Sequence, residues 1–113
     1  MKRRDETSEP GEIARKFAAL GHESRVAIIR LLLAAHPTGL VVGELQEDLG
    51  IPASTLSHHL DALRHEELVE QEREGRFLRY RAGTGALQTL LDFLYAECCT
   101  RQPVVNISVP AKA

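Results

Sequence analysis

Two short amphipathic stretches meet at Gly50-Ile51-Pro52, and this junction constrains the chain more than any other feature. Upstream, Val42, Leu45 and Leu49 share one side of a segment from about Val42 to Leu49, and Gly50 suits the position just past a helix end. Downstream, at about 100° per residue, Leu56, Leu60 and Leu63 fall on one narrow face of a helix from about Ala53 to Glu66. Ser54, His58, Asp61 and His65 point the other way. Two short helices joined by a three-residue turn, the second polar on its outer face, form a helix-turn-helix arrangement.

The flanking pattern extends this unit. From Pro10, with proline in the first turn, Ile13, Phe17 and Leu20 make one helical stripe. After Gly21, a helix over about His22 to Ala35 is apolar nearly all round, which predicts a central buried helix, and His36-Pro37-Thr38-Gly39 ends it. Beyond Leu68 the period drops to two. Val69 to Arg73 and Arg76 to Ala82 pair across Glu74-Gly75, with Leu78, Tyr80 and Ala82 on one face and Phe77, Arg79 and Arg81 on the other. A last helix starts near Thr84, carries Leu87, Leu90, Leu91, Leu94 and then Cys98 on one stripe, and ends near Cys99 to Arg101, ahead of Pro103. The expected fold is mainly α with a β-hairpin wing, in the order α-α-α-α-β-β-α, over residues 10–101. Residues 1–9 and 102–113 read as tails, and no internal repeat is found.

Composition sets the limits. At 113 residues, with 43% hydrophobic and 27% charged, the chain is one globular domain rather than a disordered one. It has no tryptophan and 4% aromatics, so the core is aliphatic. A domain of this size buries roughly two thirds of its unfolded surface, and a dimer interface would add to that. The net charge of −2 excludes nucleic-acid binding by gross basicity, so any polyanion contact is local. The charged start leads into no apolar run, and Val26 to Ala35 is broken by Arg30 and too short for a bilayer. No signal peptide or membrane association is expected, and the location is cytoplasmic. There the sequon Asn106-Ile107-Ser108 would go unused. Cys98 and Cys99 are adjacent and cannot staple distant parts; bonded neighbours sit about 3.8 Å apart at Cα, short of the roughly 4.4–6.8 Å of a relaxed disulfide. A reduced pair is expected.

Three blocks carry a family likeness: Leu20-Gly21-His22-Glu23-Ser24-Arg25-Val26-Ala27-Ile28-Ile29-Arg30-Leu31-Leu32, Thr55-Leu56-Ser57-His58-His59-Leu60-Asp61-Ala62-Leu63 and Arg73-Glu74-Gly75-Arg76-Phe77-Leu78-Arg79-Tyr80-Arg81. Over about Ile13 to Cys99 the chain resembles the ArsR/SmtB family, bacterial winged helix-turn-helix repressors that sense metals and metalloids. The resemblance implies a homodimer held by the first and last helices, operator DNA as partner, and repression relieved by an inducer. Members with an arsenic site before the turn carry Cys-Val-Cys, where this chain has Val41-Val42-Gly43. Members with a zinc site on the last helix carry histidines there; this helix has Asp92 and no histidine. No structural zinc and no catalytic cofactor are expected. Cys98-Cys99 resembles a branch of arsenical-responsive repressors with vicinal cysteines.

Several residues are candidates for contact. Ser54, Thr55, Ser57 and His58 have the short donors and acceptors that reach base edges or phosphates in a major groove, against the plainer reading of a solvated face. His59, on the flank of the apolar face, is expected to pack inside. His58 and His65, seven apart, are too distant to share a metal. Arg73, Arg76, Arg79 and Arg81 against Glu74 give a local charge of about +3. Arg73 and Arg76 suit phosphate or minor-groove contact, whereas Arg79 and Arg81 are expected to pair with Glu70 or Glu72. Two soft thiolates at Cys98 and Cys99 favour trivalent arsenic or antimony. A two-thiol site matches methylarsenite better than arsenite or antimonite, which would need a third ligand. On an unbroken helix the two thiols diverge by about 100°, so joint ligation would unwind the last turn. The plainer reading packs Cys98 in the leucine stripe; a redox- or thiol-responsive repressor is the alternative. No phosphate loop, carboxylate pair or nucleophile triad points to an enzyme.

Overall fold

The computed structural model describes residues 10–101, so the tails, the sequon and the charged start lie outside the described residues. Five helices and three strands follow in the order α1 (Pro10–Leu20), α2 (Glu23–Ala34), β1 (Leu40–Val41), α3 (Val42–Leu49), α4 (Ala53–His65), β2 (Val69–Glu74), β3 (Phe77–Ala82) and α5 (Thr84–Ala96). No helix among the described residues is long and apolar enough to cross a membrane.

The helix-turn-helix forms where the leucine spacing places it. Leu45, Leu56, Leu60 and Leu63 are fully buried and meet Ile28 and Leu32 of α2 in an aliphatic core. Gly50 closes α3 with φ +65°, a left-handed conformation that glycine enters without a Cβ clash, and its N–H donates to the Gln46 carbonyl at 2.8 Å. At the other end of α3, the Glu44 carboxylate reaches back to accept the Val41 N–H at 3.0 Å.

The hairpin is antiparallel, running from Val69↔Ala82 to Glu74↔Phe77, so the turn is Gly75-Arg76, one residue beyond the expected Glu74-Gly75. Glu74 stays in the ladder opposite Phe77, and its carboxylate accepts from Arg79 Nε across the strands at 2.9 Å. The strand β1 is absent from the sequence reading: Leu40 and Val41 pair with Tyr80 and Arg79 and put β3 in the middle of the sheet. Two residues show no period, but Gly39 makes the approach possible. At φ +79°, its missing Cβ would lie 2.3 Å from the Tyr80 carbonyl oxygen.

Two helices differ from expectation. In α2, Ile28, Ile29 and Leu32 are buried, but Val26 and Leu33 remain 43% and 45% exposed; the helix covers the core with one side only. The last helix stops at Ala96, before the cysteines. Tighter turns replace its final bonds: the Cys98 N–H donates to the Tyr95 carbonyl at 3.0 Å, and the Thr100 N–H to that of Glu97 at 3.3 Å. Cys98 therefore does not continue the leucine stripe.

Candidate nucleic-acid interface

α4 presents its polar side to solvent. Ser54, Thr55, Ser57, His58, Asp61 and His65 are all exposed, opposite the three buried leucines. Pro52 stands at the N-cap and supplies no side-chain cap, so the first-turn N–H groups of α4 face outward unclaimed by a capping side chain.

Two cations hold this helix from behind. Arg25 of α2 donates through Nε to His59 Nδ1 at 3.0 Å and through Nη1 to the Ala19 carbonyl of α1 at 3.2 Å. His59 is 6% exposed, in keeping with its expected inward position. Burial holds its pKa below the ordinary 6.5, and the neighbouring His22, Arg25 and His58 push the same way. At the far end, buried Lys16 of α1 donates through Nζ to the Glu66 carbonyl at 2.9 Å and lies 3.6 Å from the Glu66 carboxylate. It thereby satisfies an orphan carbonyl at the end of α4. Sequence reasoning assigned no role to either cation; nothing in local periodicity marks which surface-type residue will be enclosed.

On the hairpin, Arg79 donates through Nε to Glu74 at 2.9 Å and through Nη1 to the Gly39 carbonyl at 3.3 Å. Arg81 takes Glu72 at 2.6 Å and the Pro37 carbonyl at 3.0 Å. Arg79 thus pairs with Glu74 rather than Glu70 or Glu72. Over residues 70–81, Glu70 and Glu72 also stand on the hairpin, so four arginines face three glutamates across it. The exposed tip keeps Arg73, whose Nη1 donates weakly to the Gly75 carbonyl at 3.4 Å, and Arg76, which forms no ion pair among the described residues.

Past α5, Cys99 adopts φ +68°, and its Sγ lies 2.7 Å from that of Cys98. Cys98 is exposed and Cys99 half-buried. The hydrogen bond to Cys98 pushes the Cys99 thiol above the ordinary 9.0, with burial and the Cys98 charge adding to it. The thiols already converge, so joint ligation needs no unwinding of α5. An apolar groove of about 380 Å³ runs between α1, α2 and α5, lined by Phe17, Leu20, Leu33, Leu87, Leu91 and Leu94. Among the described residues no cluster of three or more metal-ligating side chains occurs.

Residues 20–72, from Leu20 at the end of α1 into β2, match the model of a helix-turn-helix domain family. The chain is 30% identical over 102 residues to the biofilm growth-associated repressor of Xylella fastidiosa, covering 90% of this chain and 87% of that one. An ArsR-like transcriptional regulator from Rhodococcus sp. RHA1 superposes with a TM-score of 0.68 at 31% identity, over 82% of this chain and 88% of the other. A homodimeric winged helix-turn-helix DNA-binding domain from Mycobacterium bovis shares the fold, with a TM-score of 0.63 at 24% identity over 94% of this chain and all of that one. Likeness over nearly the whole length, on a three-stranded winged scaffold, places this chain in the ArsR family of winged helix-turn-helix transcriptional regulators, which are not enzymes.

Proposed function

We propose that the chain is a homodimeric, cytoplasmic transcriptional repressor that binds operator DNA and releases it when a trivalent arsenical is captured by Cys98 and Cys99. Ser54, Thr55, Ser57 and His58 contact the major groove, and Arg73 and Arg76 contact phosphates or the adjacent minor groove. The exposed Leu91 and Leu94, at 55% and 58%, support pairing of two copies through α1 and α5, and the Mycobacterium bovis domain is itself homodimeric. Two recognition helices then meet half-sites about one DNA turn apart.

The single observation that carries the inducer reading is the pair of thiols 2.7 Å apart on a left-handed turn directly after the apolar helix. A non-glycine residue enters that region at a cost, and such outliers concentrate at functional sites. Methylarsenite, with two exchangeable hydroxyls, forms two As–S bonds to this pair as two waters leave. Closing that ring fixes the turn at the end of α5, shifts the two wings relative to each other and spoils the half-site spacing. A second reading, in which an oxidant such as peroxide takes two electrons and two protons from the thiols, is favoured by the same proximity.

A fragment from upstream of the chain's own gene is titrated, under reductant, with arsenite, antimonite, methylarsenite, zinc and cadmium. Release by methylarsenite, lost in C98S/C99S, is expected. Release by arsenite as well would require a third ligand. Release only by peroxide without reductant would replace the arsenical with the redox reading. Retained release in the double variant would remove the cysteines from sensing altogether.

A further inference from the structure

The wing tip carries a ring as well as charge. Six large apolar side chains stand out from the surface among the described residues; Val26 and Leu33 lie on α2, Leu91, Leu94 and Tyr95 on α5, and only Phe77 lies on the hairpin. It is 57% exposed and closes the ladder opposite Glu74. Alternation along β3 puts it on the face away from buried Tyr80 and Ala82, so the core does not claim it. On that outer face Arg79 and Arg81 are committed to glutamates and to the Gly39 and Pro37 carbonyls. Phe77 is left free beside the tip, with Arg76 next to it in the turn and Arg73 on the facing strand.

We propose that Phe77 is a DNA-contact residue whose ring packs against the deoxyribose wall of the minor groove while Arg73 and Arg76 hold the flanking phosphates. The inference rests on the DNA-binding reading above. Sugar C–H surface is the apolar part of a groove, and exposed apolar side chains on minor-groove binders are used against it or wedged at a base step. Such a contact releases no counterions. Its contribution is therefore independent of salt, whereas each phosphate contact adds about 0.9 to the slope of log affinity against log salt.

The test compares wild type, F77A, F77L and R76A on the same upstream duplex at five salt concentrations, with thermal melting of each. F77A is expected to weaken binding about tenfold at every salt concentration with an unchanged slope, and F77L to recover most of that loss. R76A is expected to lower the slope by about one. Equal affinity of F77A and wild type overturns the proposal, as does a slope loss in F77A equal to that of R76A, which would mean displaced arginines. A wild type that binds no duplex overturns the DNA-binding reading itself and this inference with it.

Discussion

The guanidinium of Arg25 bridges α1 and α4, with Nε on His59 Nδ1 at 3.0 Å and Nη1 on the Ala19 carbonyl at 3.2 Å. Only an unprotonated Nδ1 accepts such a bond. Histidine in the unfolded chain takes up its proton near 6.5, whereas buried His59 resists until lower pH. The unfolded state therefore binds more protons as pH falls through that range, so the neutral His59 contributes stability that is present above about 6.5 and is lost on acidification. Chemical denaturation at pH 7.5 and 5.5 is expected to show a fall in wild type that shrinks in H59N, which keeps an acceptor without titrating there. An equal fall in both proteins would place the sensitivity elsewhere.

Lys16 fastens the other end of α4. Its side chain is 11% exposed and its Nζ donates to the Glu66 carbonyl at 2.9 Å, a charge-assisted bond. Lys16→Met keeps the aliphatic stem but leaves that carbonyl without its donor. A loss of about 1–3 kcal/mol is expected in urea unfolding. Operator affinity is expected to fall as well, because the C-terminal end of α4 loses its anchor to α1. Unchanged stability would show that water replaces the ammonium without cost.

These tethers mark the limit of what the sequence discloses. Leu56, Leu60 and Leu63 announce their helix because burial repeats with the helical period, and the switch at Leu68 announces the hairpin for the same reason. Lys16, Arg25 and β1 depend on contacts 34 to 50 residues away, or on a close approach at Gly39, and no local period encodes those. The early end of α5 was hidden similarly. Cys98 continues the leucine spacing, yet the chain turns at Glu97 and places Cys99 in the left-handed region.

The end of α4 offers a stabilising change. Glu67 sits at φ +65°, its N–H donates to the Arg64 carbonyl at 2.9 Å, and the Leu68 N–H donates to that of Leu63 at 2.9 Å. This is a Schellman ending with Leu63 and Leu68 both buried, but with glutamate where glycine is usual. Glu67→Gly relieves the Cβ crowding, and a gain of about 0.5–1 kcal/mol is expected in urea midpoint with an unchanged slope. The contrasting change, Gly39→Ala, meets both a positive φ and a backbone oxygen at 2.3 Å, and is expected to lower the melting temperature sharply.

The thiol pair makes its own prediction about reactivity. The attacking species in alkylation is the thiolate, and the first cause raising the Cys99 thiol above 9.0 is its hydrogen bond with Cys98. Removing that partner by Cys98→Ala brings the Cys99 thiol back toward its ordinary value, so more thiolate is present at pH 8. Iodoacetamide labelling followed by mass spectrometry is expected to show Cys99 reacting faster in C98A than in wild type, with the gap closing as rising pH ionises the thiol in both proteins. A slower Cys99 in C98A would mean that Cys98 activates its neighbour. That result would favour the redox response, in which one thiolate attacks and the other resolves, over passive capture of an arsenical by the pair.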